Sequence, residues 1–425
     1  MSPVSPDLVA QPAFHICNLG CKVNRVESDV FLSRLAALGG RPVSQDEAQV
    51  VVVNTCTVTG EADKKARKAI HRALREPLAP WVVVTGCGAA IHPDELAALG
   101  ERVVLEPDRC RVPALAAELL GLDPQRAADV PAQVRAGEGY PTRMGVKVQD
   151  GCDNSCTYCI VHVARGKAKS RPADQVVAEV AAAGAAGVRE VVLTGINLGR
   201  YDDEGLSLAG LLGQVLARTA ISRVRLSSVE PPEVTDELLD AMAAGGQRVA
   251  RHLHVPLQSG CRRTLAEMGR KGTAEEYARM VERARRTVPG IALTTDVIAG
   301  FPGETEEDFA ECLSFCERQR FSKMHVFRYS RREGTPAAAR TDQVPAPVAA
   351  DRADRLRRLS DRMRAKDAQS RVGGVELVLF EQVGEGTSGS YHRVVCASDA
   401  ASPGALIPVR FTEATPDGAL RGEAQ

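Results

Sequence analysis

The sequence predicts an α/β chain in three parts: an N-terminal parallel α/β domain, a longer and partial parallel β/α barrel, and a small C-terminal all-β domain. Three observations carry this expectation. Short apolar runs alternate with amphipathic stretches from Phe14 to about Leu120, and again from Met144 to about Phe327. Between these spans, residues 121–141 (GLDPQRAADVPAQVRAGEGYP) lose the apolar period and carry Pro, Gly and mixed charge, the marks of a connection. After Gly373-Gly374 the β-like runs VELVLFEQV, YHRVVCA and ALIPVRFTEA follow one another with no helical stretch between them.

The elements follow in order. VVVNTC (51–56) and WVVVTGC (81–87) read as buried parallel strands, with KKARKAIHRAL (64–74) as an amphipathic helix. VKVQD, REVVLTG, RVRLSSVE, HLHVPLQSG, ALTTDVIAGFPG and KMHVFRYS read as successive barrel strand ends, mostly separated by helical stretches. Residues 346–371 read as a last amphipathic helix with eight basic and four acidic side chains, and the run after it as a small β barrel or sandwich. The expected division is 12–125, a linker at 126–141, a core at 142–372 and a β domain at 373–423. No internal repeat or low-complexity tract interrupts it.

With 425 residues, about two to four domains are expected, each able to bury a core. Apolar residues at 44% and charged residues at 25% exclude disordered and fibrous classes. Lys plus Arg equals Asp plus Glu at 54 each, so any site for a polyanion must be a local patch. No basic start leads into an apolar run, and nowhere do about 18 apolar residues stand in succession, so no membrane and a cytoplasmic location are expected. In that reducing compartment twelve cysteines point to metal binding or catalysis before disulfides.

Cys152, Cys156 and Cys159 form CxxxCxxC just after the first barrel strand, where barrel active sites lie. Three thiolates suit a soft metal and leave a cluster or ion with an open position. A structural zinc ion is the alternative, with His162 as fourth ligand. Cys21, Cys56 and Cys87 are far apart in sequence, yet each falls at a strand end or helix start (LGCKVN, VVVNTCTV, VVVTGCGA), so a parallel sheet could gather them at one edge. The competing reading makes each a small buried hydrophobe. Cys312 and Cys316, four apart on a helical stretch, read as packing residues.

From about Phe14 to beyond Pro336 the chain resembles the radical S-adenosylmethionine methylthiotransferases. The resemblance rests on an ordered set of segments: GCDNSCTYCIVHVARGKAKSR, LTGINLGRY, RLSSVEP, HLHVPLQSG, MGRKGT, TTDVIAGFPGETEEDF and HVFRYSRREGTPA. It implies an N-terminal domain with an auxiliary iron-sulfur cluster, a partial TIM-like radical SAM barrel and a C-terminal β domain of the TRAM type. By this resemblance Cys152, Cys156 and Cys159 hold a [4Fe-4S] cluster whose free iron chelates S-adenosylmethionine, and Cys21, Cys56 and Cys87 hold a second [4Fe-4S] cluster carrying the sulfur to be inserted. The clusters do the chemistry, with no other catalytic side chain expected. Gly195, where backbone can approach the cofactor closely, Asn197, Ser228, Glu230 and Gly300, in a turn into a capped helix, are the expected cofactor contacts. A helix cap is the structural reading of Ser228 and Glu230. An electron donor of the flavodoxin or ferredoxin type is also implied, while the sulfur donor is left open.

LGCKVN, VVVNTCTVTGEADKK and HVFRYSRREGTPAAA look most like the branch that acts on threonylcarbamoyladenosine beside the anticodon of tRNA, adding methylthio at carbon 2. The alternatives keep the chemistry on isopentenyladenosine or on an aspartate of a ribosomal protein; a zinc-stabilised tRNA-binding protein is the non-enzymatic one. The RNA contacts expected are Lys64, Lys65, Arg67 and Lys68, in a segment with six basic and two acidic residues, and Arg165, Lys169 and Arg171 after the cysteine loop. From Gly373 onward there are seven acids and three arginines, an unusual balance for a domain that grips RNA. Phe380, Tyr391, Arg393 and Arg410 are its few candidate contacts. A second departure follows Cys87, where GCGAA replaces the aromatic and Gln usual in the family.

Overall fold

A computed structural model describes residues 11–129 and 142–425, so most of the expected linker at 126–141 lies outside the described residues. The described residues fall into two compact units, one within Met1–Val134 that also takes in Val163–Arg165, the other within Arg135–His162 and Gly166–Gln425.

The first unit is a five-stranded sheet in the order Arg41–Pro42, Ala13–Asn18, Val50–Thr55, Trp81–Gly86, Val103–Leu105, with every pairing parallel. Its central strands are unbroken valine runs because parallel strands are covered on both faces. Strand alternation divides one run between two cores. Val50 and Val52 pack with Phe14, Phe31 and Leu35, whereas Val51 and Val53 pack with Ile70, Val82 and Val84.

The second unit holds six parallel strands in sequence order: Arg143–Lys147, Glu190–Thr194, Arg223–Leu226, His252–His254, Ala292–Ala299 and Lys323–Arg328. Single bridges Val224 to Val249 and Ser228 to His254 join its two three-stranded halves into one curved sheet. Helices such as Ala173–Ala185, Leu208–Arg218, Ala274–Thr287 and Glu306–Gln319 cover the outer face. Thr305 and Asp308 form a reciprocal capping box at the start of Glu306–Gln319, so GFPGETEEDF is a turn into a capped helix. The last helix, Ala346–Arg371, is locked to the sixth strand by Ser360, whose Oγ accepts from Met324 N at 2.9 Å.

The C-terminal segment closes into a five-stranded barrel (Val375–Gln382, Glu385–Ser388, Arg393–Val395, Leu420–Ala424, Leu406–Ala414) around Val378, Phe380, Val394, Val409, Phe411 and Leu420. It belongs to the second unit because a buried charge cluster ties it to the β/α sheet. Arg223 and Arg225 both pair with the fully buried Glu190. Their remaining N–H groups donate to the carbonyls of Leu377, Thr387, Ser388 and Gly389 at 2.8–3.1 Å. Tyr391 is held in the same seam, with its ring 4.6 Å from that of His252 and the Arg225 guanidinium 4.9 Å from its centroid.

Two expected RNA contacts are corrected by this packing. Phe380 has no exposed surface and is a core residue of the small barrel, and Tyr391 is engaged by His252 and Arg225 rather than offered to a base. Arg393 and Arg410 are exposed, and Arg393 is paired with Glu385 at 2.8 Å. No described helix is long and apolar enough to cross a membrane.

Candidate functional site

In the first unit the three strand-end cysteines meet. Cys21 is the N-cap residue of Lys22–Ala37, Cys56 directly follows Val50–Thr55, and Cys87 opens Cys87–Ile91 directly after Trp81–Gly86. Burial pushes the Cys56 thiol up to about 11, and the neighbouring Cys21 and Cys87 sulfurs push the same way, which places the three together. Buried asparagines, unnoticed in the sequence, hold the loops in place. Asn24 Nδ2 donates to Asn54 Oδ1 at 2.8 Å and to the Thr55 carbonyl at 2.9 Å, while Asn54 Nδ2 returns a bond to the Asn24 carbonyl at 3.0 Å. The signal was present as Asn three residues after Cys21 and two before Cys56.

Arg165 belongs to this first unit, and its expected contact with RNA is corrected. Its side chain is 0% exposed and pairs with the buried Glu27 at 3.0 Å. Its Nε lies 3.2 Å from Cys87 Sγ and its Nη2 3.0 Å from Asn24 Oδ1, so no donor is left facing a phosphate. Arg109 approaches from another side, 3.4 Å from Glu27 and 3.7 Å from Cys87 Sγ. The other basic candidates divide. Lys64, Lys65, Lys68 and Lys169 are exposed, Arg67 is paired with Glu95 at 2.8 Å, and Arg171 binds the Lys147 carbonyl and Glu179.

In the second unit the loop carrying Cys152, Cys156 and Cys159 leaves the first barrel strand and returns through a short ribbon that pairs Gln149–Asp150 with Lys169–Ser170. Burial holds Cys159 up at about 11, with Cys156 and Cys152 adding to the rise, and burial likewise raises Cys152, with Cys156 and Glu230 adding to it. Thiols so buried stay protonated unless a metal takes up the charge. Three thiolates with an open fourth position suit an iron-sulfur cluster that also binds a cofactor.

Two of the five expected cofactor contacts, Asn197 and Glu230, stand beside this loop. Asn197 is 2% exposed, with Nδ2 at 4.0 Å from Cys152 Sγ and a buried Oδ1 that has no hydrogen-bond partner. Ser228 is half-buried at the bridge to His254, and the neighbouring Ser227 Oγ is likewise buried without a partner. Glu230 precedes the 3-10 turn Pro231–Glu233 but makes no side-chain cap bond. Its carboxylate instead pairs with Arg270 at 2.5 Å. Arg270, inside the MGRKGT segment, was not singled out from the sequence. Its side chain is 5% exposed and bridges Glu230, the Pro256 carbonyl at 2.8 Å and Cys156 Sγ at 3.8 Å.

Packing within the protein itself leaves no room for a side chain at Gly195 or Gly300. A Cβ on Gly195 would lie 2.8 Å from Gln149 Oε1, the atom that also accepts from Asn197 N. Gly300 has φ +76°, and a Cβ there would meet the Cβ of Ala349 at 2.5 Å. A left-handed turn against a helix is what demands glycine at 300.

Comparison with known proteins agrees with this geometry. The Radical SAM superfamily matches residues 146–316, and the family described as Uncharacterized protein family UPF0004 matches residues 13–105. A relative from Bacillus subtilis strain 168, named threonylcarbamoyladenosine tRNA methylthiotransferase MtaB, is 36% identical over 96% of this chain and 94% of its own. A relative from Sphingopyxis alaskensis, named tRNA-2-methylthio-N(6)-dimethylallyladenosine synthase, is 33% identical over 95% of this chain and 96% of its own. In fold, the radical S-adenosylmethionine methyltransferase TsrM from Kitasatospora setae is similar, with a TM-score of 0.57 over 77% of each chain at 19% identity. With full-length identity of this order and both domain families in place, the chain belongs to the radical S-adenosylmethionine methylthiotransferases.

Proposed function

We propose that the protein transfers a methylthio group to carbon 2 of N6-threonylcarbamoyladenosine beside the anticodon of tRNA, using two [4Fe-4S] clusters and S-adenosylmethionine. The observation that carries the substrate assignment is the 36% identity, over 96% of the chain, to a relative named for that nucleoside. Cys152, Cys156 and Cys159 bind one cluster, and Cys21, Cys56 and Cys87 the other. The residues present fit these groups: two sets of three thiols, from half-buried to buried save for the exposed Cys21, with the unpartnered Asn197 Oδ1 beside the first. When bound, cluster and S-adenosylmethionine supply reductive cleavage of a carbon–sulfur bond and hence a hydrogen-abstracting radical.

The chain's own residues position and shield. Asn197, Ser228 and Glu230 offer an amide, a hydroxyl and a carboxylate to the amine and ribose of S-adenosylmethionine. Arg270 fixes the Glu230 carboxylate and gives Cys156 Sγ a charged N–H neighbour. Arg270→Ala is expected to weaken S-adenosylmethionine binding by at least about 10-fold, since Glu230 loses a partner that is itself almost wholly buried. Equilibrium binding to the reconstituted protein checks this, and an unchanged affinity would mean that the pair only braces the fold.

The division into 12–125, 142–372 and 373–423 is retained as the functional one, with Lys64, Lys65, Lys68 and Lys169 as the exposed basic contacts to tRNA. An electron donor of the flavodoxin or ferredoxin type completes the reaction. The similarity to a relative named for dimethylallyladenosine, at 33% identity, favours a second reading with that nucleoside as acceptor. Nucleoside mass spectrometry of tRNA from cells with and without the gene decides between them. Loss of the methylthio form of threonylcarbamoyladenosine, with its precursor accumulating, is expected. Cys56→Ala should retain 5′-deoxyadenosine formation yet make no methylthio product, and full product from this variant would remove Cys56 from the second cluster.

A further inference from the structure

Three side chains on adjacent strands of the β/α sheet converge apart from the cysteine loops. His254 ends the fourth strand, Asp296 lies within the fifth and His325 within the sixth. The parallel register sets His254 against Thr294 and Asp296 against His325, and paired residues point to one face. Alternation decides which face. Thr295 Oγ1 is 3.4 Å from Tyr277 Oη on the covering helix Ala274–Thr287, so Thr294 and Asp296 point the other way, into the barrel's concave side.

There, one ligand atom from each of His254, Asp296 and His325 lies within 4.8 Å of the other two. His254 Nε2 is 3.3 Å from Asp296 Oδ1, and these side chains are 14% and 26% exposed, so the space they face admits water and ligand. His254 Nδ1 lies 3.0 Å from Thr294 Oγ1, which is also 3.0 Å from His252 Nε2. With its Nδ1–H given to that hydroxyl, the His254 ring turns a lone pair on Nε2 towards Asp296. Such an oxygen behind the ring is the usual support of a metal-binding histidine.

We propose that His254, Asp296 and His325 bind a divalent transition-metal ion of the zinc, cobalt or iron(II) class through two nitrogens and one oxygen, with the remaining positions open to the barrel interior. An open position on such an ion takes an anionic oxygen. On the threonylcarbamoyladenosine reading, on which this second part rests, that oxygen is the carboxylate of the threonyl group, which an isopentenyl group lacks. The ion anchors and selects the substrate and takes no part in electron transfer.

The test is anaerobic titration of the full-length, cluster-reconstituted protein with Co2+, followed by its visible ligand-field absorption. One ion per chain is expected, with affinity reduced at least about 10-fold in Asp296→Asn and in His325→Ala while the iron-sulfur absorption is unchanged in both. Thr294→Val, which removes only the supporting hydroxyl, should weaken binding by about 10- to 100-fold. Cobalt bound equally by the wild type and both ligand variants, or not bound at all, overturns the site. Adding N6-threonylcarbamoyladenosine should shift the cobalt spectrum while N6-isopentenyladenosine does not, and an equal response to both overturns the carboxylate assignment. Because the cobalt titration needs no turnover, its failure is distinct from failure of the tRNA assay.

Discussion

Cys156→Ala is expected to abolish 5′-deoxyadenosine formation and methylthiolation together, with iron in the reconstituted protein falling from about eight to about four per chain. Cys156 lies between the other two cysteines of its loop and acts on the thiols of both Cys152 and Cys159. It is also the sulfur that Arg270 approaches. Removing it leaves two thiols where three are needed to hold three irons, and the positions of Asn197 and Glu230 cannot make good a lost ligand. Iron analysis and chromatography of the cleavage products check the result. Retained 5′-deoxyadenosine would take this loop out of the reaction, whereas loss of product alone would make Cys156 a residue of the transfer step. The contrast with Cys56→Ala, which should uncouple rather than silence the enzyme, separates the two trios by function.

Glu190→Ala is expected to destabilise the second unit by about 3–5 kcal/mol, the cost of leaving buried cations without their anion. Glu190 has no exposed surface and pairs with both Arg223 and Arg225, which are 1% exposed. Replacing all three residues by apolar ones should not restore stability, because four carbonyls of the small barrel would lose their donors at about 1–3 kcal/mol each. The same cluster sets an acid limit. Burial alone would raise the Glu190 carboxyl, but Arg225 and Arg223 outweigh it and hold it at about 2, below its ordinary 4.5. A carboxyl depressed on folding stabilises fully above the ordinary value, and that stability is lost as pH falls from there through about 2. Urea unfolding midpoints at pH 7 and pH 3 check both statements: the wild type should lose stability between them, and Glu190→Ala should lose less.

Local pattern made much of the fold legible. Unbroken valine runs marked the strands of the first unit, six apolar runs marked those of the barrel, and residues 346–371 form one helix over the expected span. The cysteine trios were legible for different reasons. CxxxCxxC is a short-range spacing that any fold must keep close, whereas Cys21, Cys56 and Cys87 could be brought together only on the assumption of a parallel sheet. That sheet is present, and it places them at neighbouring strand ends.

By itself, then, the sequence determined element types, their order and the two groups of thiols, because periodicity and short motifs act over a few residues. Tertiary structure alone decided which charged and aromatic side chains remain available. Arg165 meets Glu27 across 138 residues, and Arg225 meets Gly389 across 164. Neither partner leaves a local mark, so one arginine with the setting of an RNA contact became a buried donor to a cysteine. The same holds for Arg270 and for His254, Asp296 and His325, which stand on separate segments and acquire a common purpose only when parallel register aligns them. A buried charge must find its counter-charge wherever the packed chain provides one, and that choice is made by the assembled fold.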